Sequence, residues 1–187
     1  MENRCWWAQK NEILGKYHDE EWGKALHDDQ KLFEFLILEG MQAGLSWLTI
    51  LRKRDAFRIA YENFDVEKVA GFGQEKIDGL MSNTDIIRNK LKIEASINNA
   101  KRFLEVTSEF GSFDRYIWSF VNYKPIVNHW NDVSEIPVKT ELSDKLSSDL
   151  KRRGFKFVGS TVVYSHMQAT GMINDHLVHC FCHPNQK

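Results

Sequence analysis

Apolar residues recur at helical spacing through most of this 187-residue chain, and only Pro125, Pro137 and Pro184 are available to interrupt the pattern. Helices joined by short turns are what such a pattern allows. Residues 29–39 read as one apolar helix, and 46–62 as a second with Trp47, Ile50, Leu51, Phe57 and Tyr61 at helical intervals. Asp65 is placed to cap a short helix through Val69, and 74–82 forms another. After a break at Ser82-Asn83-Thr84-Asp85, a long helix near 87–109 is expected to turn Leu91, Ile97, Ala100 and Leu104 inward. Ser112 caps 113–121, 122–139 is irregular, and Leu142, Leu146 and Leu150 line a helix that Gly154 ends as a C′ residue. Residues 155–170 mix β-branched residues with a candidate cap at Ser160 and are read as helix. Gly171 stops it, and Asn174 or Asp175 caps a last helical turn holding His176 and Cys180. The fold class expected is all-α, a single unit over 1–187.

One acid sits awkwardly in this pattern. In LFEFLILEGMQAGLSW (32–47), the residues at i−3, i−4 and i−7 from Glu39 are Leu36, Phe35 and Leu32, so Glu39 faces the interior. Glu34 falls on another face and is expected to be solvated. A carboxylate buried without a partner is costly, so Glu39 must be neutralised, hydrogen-bonded or matched to a ligand. Gly40 and Gly44 predict a weakened helix after Glu39 and a bend whose tip is Ala43-Gly44-Leu45; a plain helix–helix corner fits the same residues. Trp6, Trp7, Tyr17 and Trp22 precede this helix and Trp47 follows it. Any one of them is a core residue by default, but together they can offer flat faces to a planar cation, with the carboxylate as counter-charge and as acceptor for an exocyclic amine.

The three cysteines, Cys5, Cys180 and Cys182, lie at opposite ends of the chain, which favours a metal or free thiols over a disulfide in a reducing compartment. His176 and Cys180 are four residues apart, and with Cys5 and His18 they make a neutral four-coordinate donor set. A buried cysteine among scattered surface histidines fits the same spacing, and His179, Cys182 and His183 compete as ligands. With 25 basic and 26 acidic residues the net charge is −1, so a polyanion site must be local. Arg88, Lys90 and Lys92 near one helix start, and Lys151, Arg152, Arg153 and Lys156 around Gly154, are the two candidates. No GxSxG motif or Gly-rich phosphate loop occurs, which leaves acyl-transfer and nucleotide-triphosphate chemistry without support. No apolar run reaches transmembrane length and the N-terminus lacks a signal-peptide core, so a cytoplasmic protein without a membrane partner is expected. Lacking a coiled-coil seam or spare strand edge, it is expected to be a monomer.

CWW at the start, YHDEEWG (17–23), LEGMQAGLSWLTILRKR (38–54), IIRNKLKIEASINNA (86–100), WSFVN (118–122) and KRRGFKFVGSTVVYSHMQATGMINDH (151–176) together resemble the 3-methyladenine DNA glycosylase I family, in order along nearly the whole chain. The resemblance implies a bilobal, all-α helix-hairpin-helix enzyme that hydrolyses the N-glycosidic bond of 3-methyladenine in alkylated double-stranded DNA. One lobe would hold both termini and the other the hairpin near 82–88. It implies one structural zinc on Cys5, His18, His176 and Cys180, and Glu39 as the base-recognising carboxylate. Tyr17, Trp22, Trp47 and Trp7 would surround the extruded base, with Ser165 as a further pocket residue. Gly44 and Leu45 would insert into the DNA and Arg88 would meet the backbone. Two positions depart from the pattern: Asp85 stands in the hairpin where glycine is common, leaving the turn to aspartate's tolerance of the left-handed conformation, and Leu14 stands where some relatives carry an aromatic residue. The alternative is a zinc-stabilised DNA-binding protein without glycosylase activity, or, further off, a zinc hydrolase acting on a small molecule.

Overall fold

The computed structural model describes residues 3–186. The helices are α1 (Glu12–Glu20), α2 (Asp29–Gln42), α3 (Trp47–Ala60), α4 (Val66–Ala70), α5 (Gln74–Ser82), α6 (Lys90–Phe110), α7 (Phe113–Ser119), α8 (Glu141–Arg152) and α9 (Ser160–Ala169). The described residues are all-α apart from one parallel pair of two-residue strands, β1 (Ile126–Val127) and β2 (Ile173–Asn174). That pair pins the irregular 122–139 segment to the chain just beyond α9.

Side-chain caps set most helix starts: Asn11, Asp28, Ser46, Asp65, Asn89 and Ser112 each accept an N–H from the first turn that follows them. The central element is α2, buried at every position from Leu32 to Met41 and packed on α3, α6, α7 and α9. A helix enclosed all round must find partners for any polar group it carries. Glu34 finds them. It is buried, contrary to the expected solvation, and accepts from Arg54 Nε at 2.6 Å and Arg58 Nε at 3.0 Å. Arg54 in turn donates to Glu21, the residue that ends α1, at 2.8 Å and lies 4.9 Å over the Phe35 ring, so one guanidinium ties α2 and α3 to the end of α1.

Several local expectations change. The helix continues through Gly40 to Gln42, with Phe157 packed beside Gly40, 3.4 Å from where a side chain there would begin. The bend at Ala43-Gly44-Leu45 stands. Leu91 is 70% exposed and Leu104 half-buried; Ile93, Ile97, Ala100, Phe103 and Val106 make the inward stripe of α6, which starts at Lys90 and not Arg88. Gly159, not Ser160, caps α9. His176 and Cys180 lie on an irregular turn, not a helix; Asn174 Oδ1 accepts from His176 N–H, so the side chain shapes the turn without starting a helix.

The α5–α6 hairpin forms where expected, but Asp85 needs no left-handed conformation. Asn83 Oδ1 accepts from Asp85 N–H, Lys53 Nζ donates to Thr84 O, and buried Ile86 anchors the turn.

Two glycines separate conformational from steric demand. Gly171, at φ +69°, sits against the Lys24 and Ala25 backbone, where a methyl group would collide; Gly44, at φ +82°, has open space around its Cβ position. Gly171→Ala should therefore lower unfolding stability by at least about 3 kcal/mol, against about 1 kcal/mol for Gly44→Ala, as read from urea midpoints.

Candidate functional site

The inner end of α2 opens into a cavity of about 400 Å³. Glu39 reaches it from α2, Tyr17 and Trp22 from α1 and the turn after it, Trp47 from the first residue of α3, Trp7 from the N-terminal segment and Ser165 from α9. All six residues expected around a base therefore line one space. The rings meet edge-on or tilted: Trp7–Trp22 at 5.1 Å, Tyr17–Trp47 at 5.5 Å and Trp7–Tyr17 at 6.4 Å. Leu14 is not part of the lining.

Glu39 is 4% exposed and takes no hydrogen bond among the described residues; burial alone pushes its carboxyl up to about 8, so it holds its proton at neutral pH. Trp47 Nε1, a buried N–H, faces the Tyr17 hydroxyl without a well-formed hydrogen bond. A neutral, unpaired acid in an aromatic-walled cavity suits a polar, planar ligand, since buried polar groups are otherwise almost always paired.

Sequence reasoning missed part of this wall. Thr161, Tyr164 and Gln168 also line it, as do residues from the irregular segment between 133 and 138. The α9 residues had a signal: 161, 164, 165 and 168 share one helix face, and Ser165 was already on it. The irregular segment had none, because its place depends on the β1–β2 pair.

Behind the cavity, Cys5, His18, His176 and Cys180 converge, all buried, with donor atoms within 4.8 Å of one another. The separations are 3.1 Å from His176 Nδ1 to His18 Nε2, 3.4 Å from Cys180 Sγ to His18 Nε2, 3.6 Å from Cys180 Sγ to His176 Nδ1 and 3.9 Å from Cys5 Sγ to His176 Nδ1. Nitrogen and sulfur ligands around a tetrahedral divalent metal stand about 3.3–3.8 Å apart, so the cluster can hold such an ion. The outer nitrogens are committed: His18 Nδ1 lies 2.8 Å from Asp19, itself gripped by Arg4, and His176 Nε2 donates to Trp22 O at 2.9 Å. The two thiols share a proton: the Cys5 thiol donates to Cys180, which holds Cys180 far below the ordinary thiol range and pushes Cys5 above it. The three competitors stay outside the cluster: His179 is exposed, His183 turns to Asn128 O, and Cys182 approaches only the far side of His18.

Neither basic cluster is simply a phosphate site. Lys92 is buried and donates to Met41 O and Ala43 O, closing the end of α2. Arg152 pairs with Asp149, and Arg153 spans Asp149 and Glu109 while stacking on Phe110 and Tyr116. Arg88 and Lys90 remain exposed, near the hairpin. Leu45 is 41% exposed at the tip beyond α2, between Gly44 and the Ser46 cap of α3. No helix of the described residues is long and apolar enough to cross a membrane.

The family model described as methyladenine glycosylase matches residues 7–183. DNA-3-methyladenine glycosylase 1 of Escherichia coli strain K12 is 47% identical over 184 residues, covering 98% of each chain. A crystal structure of a 3-methyladenine DNA glycosylase I, 45% identical, superposes with a TM-score of 0.93 over 97% of this chain and 100% of its own. A structure addressing 3-methyladenine recognition by the Staphylococcus aureus enzyme, 38% identical, gives 0.93 over 99% of this chain and 97% of its own.

The raised Glu39 carboxyl has a consequence for stability. Unfolded, the group titrates near the ordinary glutamate value of 4.5; folded, at about 8. Between these values the native state holds the extra proton, so the site's contribution falls as pH rises, by up to about 1.4 kcal/mol per pH unit. Glu39→Gln removes that penalty. Its melting temperature should exceed the parent's by an increment that grows from pH 5 to pH 8, and an equal increment at both would contradict the desolvation.

Proposed function

The chain belongs to the methyladenine glycosylase family, and from that premise we propose that it releases 3-methyladenine from alkylated DNA, with Glu39 receiving the extruded base. The reaction is hydrolysis of the N-glycosidic bond. The observation that carries the site assignment is the unpaired, neutral carboxyl of Glu39 in an aromatic cavity. N3-methylation makes adenine a cation in DNA; placed beside Glu39, it favours loss of the carboxyl proton and repairs the desolvation that the free site bears. Undamaged purines carry no such charge and leave the cost in place.

Tyr17, Trp22, Trp47 and Trp7 supply π-faces for the cation. The leaving base departs neutral, so no side chain need protonate it, and catalysis rests on extrusion, positioning and the pocket's charge balance. Gly44-Leu45 is the segment that would fill the space the base leaves, with Arg88 near the backbone; Leu45's exposure and Gly44's left-handed turn support this. We read the cavity as lying between two helical lobes, one with both termini and the metal cluster, the other with the α5–α6 hairpin.

The ion that suits two thiolates and two imidazoles in tetrahedral array is zinc, and four protein ligands leave no open position, so its role is structural. This argues against a small-molecule zinc hydrolase. The purified protein should carry one zinc per chain by elemental analysis; Cys180→Ser should lose it and unfold at a markedly lower temperature.

The deciding experiment is release of free 3-methyladenine from methylated double-stranded DNA by the wild type and Glu39→Gln. Wild-type release excludes a DNA-binding protein without hydrolysis. The variant should lose at least about tenfold in kcat/KM; equal rates would remove Glu39 from the role given it.

A further inference from the structure

Asp175 follows β2 and is completely buried. Its Oδ1 accepts from Asn128 Nδ2 and Trp130 Nε1, both at 2.7 Å; its Oδ2 accepts from Tyr164 Oη–H at 2.6 Å and Gln168 Nε2 at 2.7 Å. Four donors converge on one carboxylate, and nothing around it asks it to donate. Two of the donors, Tyr164 and Gln168, also line the Glu39 cavity.

For Gln168 this fixes more than position. An amide offers either its NH2 or its carbonyl to a neighbour, and a carboxyl oxygen already accepting from Tyr164 takes the NH2. Turning the amide over would set its oxygen against Asp175 Oδ2 and leave a buried acceptor short of a donor. The opposite end, Oε1, takes no hydrogen bond among the described residues. The backbone is held as well, since Gln168 O accepts from Gly23 N at 2.9 Å.

We propose that Gln168 is a specificity-determining residue, its carbonyl presented to the cavity by the positioning residue Asp175 and matched to the exocyclic 6-amino group of the base. The proposal rests on the function given above and adds a division of labour. Glu39 reads the charge that methylation creates, which adenine and guanine lesions share; its carboxyl can also accept from an exocyclic amine, but in the neutral form it donates as readily to a 6-oxo group and does not tell the two apart. Gln168 reads position 6, where 3-methyladenine offers two N–H donors and a 6-oxo purine offers an acceptor. Two acceptors facing each other are mutually repulsive, whereas a missing hydrogen bond alone merely weakens binding.

The test uses the intact protein and two free bases, 3-methyladenine and its 6-oxo counterpart 3-methylhypoxanthine, with dissociation constants read from quenching of tryptophan fluorescence. The wild type should prefer the 6-amino base by about tenfold or more. Gln168→Leu should bring the ratio of the two constants close to one. Asp175→Asn, which frees the amide to turn over, should do the same; if that variant does not fold, Gln168→Leu decides alone. Asn128→Ala removes a different donor from Asp175 and does not touch the cavity, so it should lower stability and leave the ratio unchanged. A merely structural role for the cluster would weaken both bases together. A wild-type ratio in Gln168→Leu overturns the proposal, whereas a wild type that releases no 3-methyladenine from DNA overturns the underlying function instead.

Discussion

An ionisable carboxyl held out of water with no donor beside it is the constraint around which the molecule is organised. Glu34 and Glu39 sit five residues apart on the same enclosed helix, and their different fates show how. Glu34 meets Arg54 and Arg58 and becomes a structural anion joining α2 and α3 to the end of α1. Glu39 meets only rings and a cavity, and is pushed to its neutral form. The first arrangement satisfies both charges. The second leaves a deficit that only a ligand removes, and it persists because the helix is secured elsewhere: Asp28 caps its start and Lys92 binds its last carbonyls.

The metal cluster and the cavity are two sides of one wall. Trp22 lines the cavity, packs 4.7 Å from the His176 ring and accepts from it through its backbone carbonyl; Trp7 lies 5.3 Å from His18. An ion there would hold the two chain ends together and, through these contacts, set the spacing of the rings that face the base. Asp175, next to His176, extends the same logic on the α9 side by gathering donors from the irregular segment and from the cavity wall. Chemistry that looks peripheral in sequence therefore governs the shape of the pocket.

Much of this was legible beforehand, for identifiable reasons. Helical period and caps located the helices because those signals act within one or two turns. Glu39's inward face followed from spacing, and the donor set of Cys5, His18, His176 and Cys180 from residue chemistry together with family resemblance. What failed depended on partners far along the chain. Glu34 looked solvated because Arg54 is twenty residues away. Lys92 and Arg153 looked like phosphate cations because their carbonyl and carboxylate partners belong to other segments. Leu91 looked inward because a long amphipathic stretch does not announce where its buried stripe begins.

By itself, then, the sequence determined the helices, the breaks between them, the family, and the residue types able to bind a cation and a metal, all of which depend on local spacing and side-chain chemistry. Only the tertiary structure decided which charges were neutralised and which were left wanting, because desolvation and pairing depend on what distant segments bring into contact. That decision separates Glu39 from Glu34 and sets Gln168's amide NH2 on Asp175.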